Sequence, residues 1–152
     1  MRGRFSVSRL ETMFDDLLSG NGKAFSELLG GYLRDLVSVY DTANKESFYH
    51  GFVLGMTALF VSDYIIESNR ESGYGRFDLA IIPKDVSKAG VIMEFKVASR
   101  EADMAAKAKE AVQQIEEREY VTEFRQRGIQ RVWKYGIAFC GKKILAFQGP
   151  MC

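Results

Sequence analysis

The sequence predicts an α/β or α+β layer fold, in which a mixed sheet is flanked by helices behind an N-terminal helical hairpin. Three observations carry this expectation. Residues 75–97, "GRFDLAIIPKDVSKAGVIMEFKV", contain two β-forming runs joined by a short polar loop. A helical stretch from Asp103 to about Tyr120 follows them, and two further strand-like runs close the chain. Ahead of all these stand about 40 residues whose apolar positions recur at helical spacing.

The elements follow in order. Leu10, Met13, Phe14, Leu17 and Leu18 form one helical stripe, which "SGNG" (19–22) stops. A second helix is expected over Lys23 to Tyr40, with Phe25, Leu28, Leu29, Leu33, Leu36 and Val37 on one face. After the polar "DTANKES", a third runs from Glu46 to about Val61 and is apolar around most of its surface, so it should be buried. Tyr64–Glu67 reads as a short strand before the Gly-containing turn "NRESGYG" and the two strands of the 75–97 stretch. In the later helix Met104, Ala108, Ala111, Val112 and Ile115 make the apolar stripe, and Ala, Lys, Glu and Gln elsewhere favour helix. Tyr135–Cys140 and Lys143–Phe147 are the last strands, around a "GK" turn.

The bulk properties exclude several classes. With 152 residues, 47% hydrophobic and 27% charged, the chain is long enough for a core and is not of disordered composition. Its longest apolar run, Phe52–Val61, is too short to cross a bilayer, so no membrane association is expected. No apolar segment follows the basic residues of MRGRFSVSRL, so no secretory signal is expected. Cys140 and Cys152 have neither a disulfide framework nor metal-ligand spacing, which points to a reducing, cytoplasmic compartment. Net charge is +1, yet residues 88–152 carry 12 Lys/Arg against 8 Asp/Glu. That lean permits an anionic partner without demanding one.

Charge inside the two strands is the informative anomaly. Side-chain alternation puts Arg76, Asp78, Ala80 and Ile82 on one face, and Ile92, Glu94 and Lys96 on one face. Folded as an antiparallel hairpin, Ile82 comes near Ile92 at the loop end, and Asp78 near Glu94 and Lys96 at the other. The opposite face (Phe77, Leu79, Ile81; Val91, Met93, Phe95, Val97) is apolar throughout. Exposed cross-strand ion pairs are the commoner explanation of a charged strand face. Here, however, the charges gather at one end and two are neighbouring carboxylates, an arrangement that costs energy unless a cation or proton sits between them. Such an oxygen-rich site suits Mg²⁺ or Mn²⁺, and the adjacent lysine suits an attacking water or an anionic transition state.

Asp78 followed by Glu94-Phe95-Lys96 resembles the D…ExK signature of the PD-(D/E)xK nuclease superfamily. The strings "ESFYHGFVLGM", "SNRESGYGRFDLAIIP", "VIMEFKV", "AVQQIEEREY" and "YGIAFCGKKI" resemble the RecB-like nuclease-like domain that follows an AAA-type ATPase domain in many bacterial and archaeal proteins. The resemblance spans residues 46–147 and implies a restriction-endonuclease-like αβββαβ core. It divides the chain into an N-terminal helical segment (1–45) and a nuclease-like domain (46–152). It implies Asp78, Glu94 and the Phe95 carbonyl as metal ligands, and Lys96 as the group that positions or activates water. Phe77 stands where the superfamily name has Pro. No GxxxxGK[ST] motif occurs, so an ATPase would be a partner in cis or in trans.

Further residues could support such a site. Glu46, four residues before His50, is either a further metal carboxylate, as the resemblance suggests, or a dipole-favoured helix start. His50, the one histidine, reads as structural. Arg76 contacts phosphate or simply pairs with a carboxylate. Helical geometry puts Gln114 at the edge of the apolar stripe with Lys107 and Arg118, and Gln113 away from it. In RecB-like relatives a glutamine on this helix approaches the active site. The expected function is a metal-dependent nuclease acting on nucleic acid, most simply DNA. The alternatives are a catalytically silent nuclease-fold module serving an ATPase, or a phosphoester hydrolase for small substrates. A homo-oligomer is compatible with the sequence.

Overall fold

The computed structural model describes residues 7–36, 46–58, 62–68 and 78–150. The elements are α1 (Val7–Leu18), α2 (Gly22–Leu36), α3 (Glu46–Thr57), β1 (Tyr64–Ser68), β2 (Leu79–Pro83), β3 (Gly90–Val97), a 3₁₀ turn (Glu101–Asp103), α4 (Met104–Glu117), α5 (Val121–Gln126), β4 (Val132–Cys140) and β5 (Lys143–Gln148). One five-stranded sheet runs in sequence order β1-β2-β3-β4-β5. Among the described residues only the β3–β4 pair is parallel, and α4 and α5 supply its crossover. The sheet is therefore mixed and flanked by helices, as the sequence predicts.

The hairpin of α1 and α2 forms where local chemistry dictates. Gly20, at φ 84°, takes the left-handed conformation that ends α1. Asn21 then caps α2, its Oδ1 accepting from the Ala24 N–H at 3.3 Å. The hairpin is fastened to β4: Trp133 Nε1 donates to the Leu18 carbonyl at 2.8 Å, and the buried Tyr135 hydroxyl donates to the Leu17 carbonyl at 2.6 Å. Leu10, Leu17, Leu29 and Leu33 of the hairpin share one core with Leu79, Ile81, Val91, Met93, Phe95 and Phe139 of the sheet. The boundary expected at residues 45 and 46 thus separates two stretches of sequence but not two cores.

The other sheet face carries a second core of Ala80, Ile82, Ile92, Ile115, Tyr120, Phe124, Ile129 and Val132, under α4 and α5. β4 serves both layers by alternation. Trp133, Tyr135, Ile137 and Phe139 meet the hairpin side, while Gly136 and Ala138 meet α4.

Four local expectations need adjustment. The hairpin register pairs Ala80, not Ile82, with Ile92, although all three join the same core. α3 is not buried all round: Tyr49, His50, Val53 and Met56 point inward, while Gly51 and Gly55 face open space. Its small residues carry the apolar count without needing cover. β4 begins at Val132, three residues before the expected start. α5 was not expected at all, because six residues are too few to display a helical period.

Candidate active site

The charged face gathers where β2 runs out. Ladder pairing begins at Leu79 opposite Met93, and just before it the Asp78 N–H donates to the Met93 carbonyl at 3.2 Å. The Asp78 side chain then substitutes for the next rung, Oδ2 accepting from the Phe95 N–H at 2.8 Å. Strand alternation turns the Phe95 carbonyl to that same edge. Asp78 is in this way held by backbone groups beside Glu94, and the expected pairing of the two carboxylates is realised.

Glu94 is the buried member of the group, only 5% exposed. Its Oε2 accepts from Gln114 Nε2 at 2.8 Å, and Gln114 Oε1 in turn accepts from Lys96 Nζ at 2.8 Å. Gln114 is thus a two-ended clamp, while Gln113 is exposed. Glu94 Oε1 is buried with no hydrogen-bond partner among the described residues. An orphaned carboxylate oxygen is costly and marks a position built for a cation or a proton.

The electrostatics agree. Burial, and then the charges of Asp78 and Glu46, push the Glu94 carboxyl up to about 8, against the pull of Lys96 and Arg118. Burial also raises Asp78, against the Phe95 N–H and Lys96. Glu46 is raised by burial and by Asp78. Three carboxyls sharing one field, each held above its ordinary range, favour a bound cation once they ionise.

The residues present fit a divalent ion: two carboxylates, one with a free buried oxygen, and a main-chain carbonyl on the same edge form a hard oxygen donor set. Among the described residues, no three His, Cys, Asp or Glu side chains converge into a closed ligand cluster. Glu46 therefore stands at the margin, felt by the pair but not grouped with it. His50 has the structural part expected of it. It is buried, its Nε2 lies 2.7 Å from Ser68 Oγ, and its ring meets Phe95 edge-on.

The rim residues are more dispersed. Arg118, exposed at the end of α4, acts on Glu94 through its charge. Lys107 is half-buried with its ammonium 4.0 Å from Glu110. Arg76 lies outside the described residues.

Sequence reasoning missed Tyr120. This residue is buried, and burial together with Glu94 raises its phenol, against Arg118 and Gln114, which places the hydroxyl beside the clamp. Continuing α4 as a regular helix would put residue 120 about 120° around from residue 114. Instead α4 ends at Glu117, and Glu119 at φ 53° redirects the chain so that Tyr120 returns to the sheet. A non-glycine left-handed residue leaves no clear sign in sequence.

A mixed sheet with a carboxylate pair, a lysine and a helix glutamine at the end of its central hairpin defines a nuclease-like α/β fold. The family model of the PD-(D/E)XK nuclease superfamily matches residues 44–148, and the chain belongs to that superfamily. Comparison with curated proteins returns no match. Nucleases of this superfamily in general use divalent metals. Among the described residues no helix is long and apolar enough to cross a membrane.

Proposed function

We propose that this protein is a metal-dependent nuclease that hydrolyses phosphodiester bonds, with DNA as its substrate and Mg²⁺ or Mn²⁺ as its ion. The observation that carries the reading is the buried, orphaned Glu94 oxygen beside Asp78, with Lys96 clamped next to both through Gln114. Asp78, Glu94 and the Phe95 carbonyl hold the ion. When bound, it supplies Lewis acidity, which makes water acidic and neutralises phosphoryl charge. Lys96 holds the attacking water or the developing negative charge, and Gln114 fixes the ammonium in place. Tyr120 encloses the buried side of the clamp. Arg118 and Lys107, and Arg76 by its place in the sequence, are the candidates for contacts to backbone phosphates.

The resemblance to RecB-like domains further supports action beside an AAA-type ATPase. The test is a titration with Mg²⁺ and Mn²⁺ in the presence of single- and double-stranded DNA, read for binding and for cleavage. Metal-dependent cleavage is expected. Binding without cleavage under every metal and substrate would replace the enzyme with a nuclease-fold binding module.

A further inference from the structure

We propose that Gly136 is a positioning residue for this site: its missing side chain lets α4 settle on β4 closely enough for Gln114 to reach Glu94 and Lys96. The proposal rests on reading those three residues as the working cluster. In the parallel β3–β4 ladder Gly136 is the register partner of Glu94, so both positions face α4. A Cβ built on Gly136 would lie 2.9 Å from Ala111 Cβ and 2.9 Å from the Val112 nitrogen, and closer still to the Ala108 carbonyl oxygen. Two of these three neighbours are main-chain atoms, which cannot turn aside as a side chain can. Gly136 has no left-handed φ. The position demands glycine for space rather than for backbone conformation.

The helix side of the seam is equally small. Ala108 and Ala111 are both fully buried, and Ala138 continues the flat surface beyond Gly136. Backbone thus rests on backbone one helical turn before Gln114. Any methyl at 136 must lift α4 by about an ångström to restore van der Waals separation. Both Gln114 hydrogen bonds are 2.8 Å long, and a shift of that size takes them out of range. The seam at Gly136 therefore decides whether Glu94 Oε2 and Lys96 Nζ are held together.

Gly136→Ala, Gln114→Ala and the double variant form the test, with Ile115→Val as a mildly destabilised control on the same helix. In wild type the Gln114 side-chain amide protons should be protected from solvent exchange, as hydrogen-bonded amides are. In Gly136→Ala that protection should be lost while backbone NMR signals keep the dispersion of a folded protein, and Ile115→Val should retain it. Should Gly136→Ala not fold, Ala111→Ser adds one atom on the helix side of the same seam and should weaken the protection in the same sense. Protection at the wild-type level in either folded variant overturns the proposal. Cleavage gives the second arm: Gly136→Ala should fall to the level of Gln114→Ala, and the double variant should be no slower. Additive losses would mean that Gly136 acts elsewhere. If wild type cleaves nothing, the nuclease reading fails while the exchange experiment still decides the role of Gly136.

Discussion

Gln114 Nε2 donates to Glu94 Oε2 across 2.8 Å, from a helix to the middle strand of the sheet. Because the other end of the same amide accepts from Lys96, one neutral side chain orders a buried acid and a base at once. Gln113, its neighbour in sequence, is exposed. Gln114→Ala should therefore impair cleavage strongly and Gln113→Ala hardly at all. Equal rates for the two variants would show that the clamp does not serve the reaction.

Metal should stabilise the fold through the carboxylate pair. A ligand that binds only the native state raises Tm by mass action. Asp78→Asn keeps an acceptor for the Phe95 N–H but removes a charge. It should leave the metal-free protein folded and erase most of the Mn²⁺-induced rise in Tm. A full rise in the variant would place the ion elsewhere.

The pH dependence of the metal-free protein follows from Glu94. Its folded pKa, about 8, lies above the ordinary 4.5, so the protonated form is favoured by folding. This contribution is fully present below pH 4.5 and is lost as pH rises toward and through 8. Asp78 and Glu46 are raised too and act in the same sense. Without divalent ions, Tm should decline between pH 5 and 8.5 in wild type, and much less in Glu94→Gln, which mimics the neutral acid. Parallel curves for the two proteins would show that Glu94 does not titrate in this window.

Lys96 separates chemistry from packing. Lys96→Met keeps much of the stem but deletes the charge. Turnover should fall about a hundredfold or more, as for other lost electrostatic stabilisers. Metal affinity should hold or rise, because a cation beside the ion has gone. A loss of stability with unchanged turnover would reduce Lys96 to an ion-pair partner.

The hairpin should be indispensable to the fold. A chain cut to the family-matched residues 44–148 loses Leu10, Leu17, Phe25, Leu29 and Leu33 from the main core and bares Trp133 and Tyr135. Burial of each large side chain stabilises by roughly 1.5–3 kcal/mol, so the loss is comparable to the whole stability of an ordinary domain. The truncated chain should show no cooperative melting and poor NMR dispersion. A cooperative transition like that of the full chain would make the hairpin an accessory.

Strand and helix periodicity made part of the site legible. Alternation put Asp78, Glu94 and Lys96 on one face, and the 100° step of a helix turned Gln114 inward with Gln113 outward. Both are local rules, fixed by backbone geometry whatever packs nearby. The D…ExK signature pointed to the PD-(D/E)XK nuclease superfamily, to which the family model matching residues 44–148 assigns the chain.

Other features depend on atoms far apart in the chain, and only the tertiary structure decides them. Glu94 becomes a weak acid because burial and two distant carboxylates act on it together. Tyr120 reaches the clamp because Glu119 breaks the helix, a turn no period announces. The alternation of large and small residues in "WKYGIAF" is visible in sequence. That its small side must admit the α4 backbone opposite Glu94 follows from β3–β4 register, which the chain sets only when it folds. Sequence thus determined which groups share a face, because that is a property of one strand or one helix. The fold determined how closely those faces approach, and proton affinity and hydrogen-bond reach both depend on that distance.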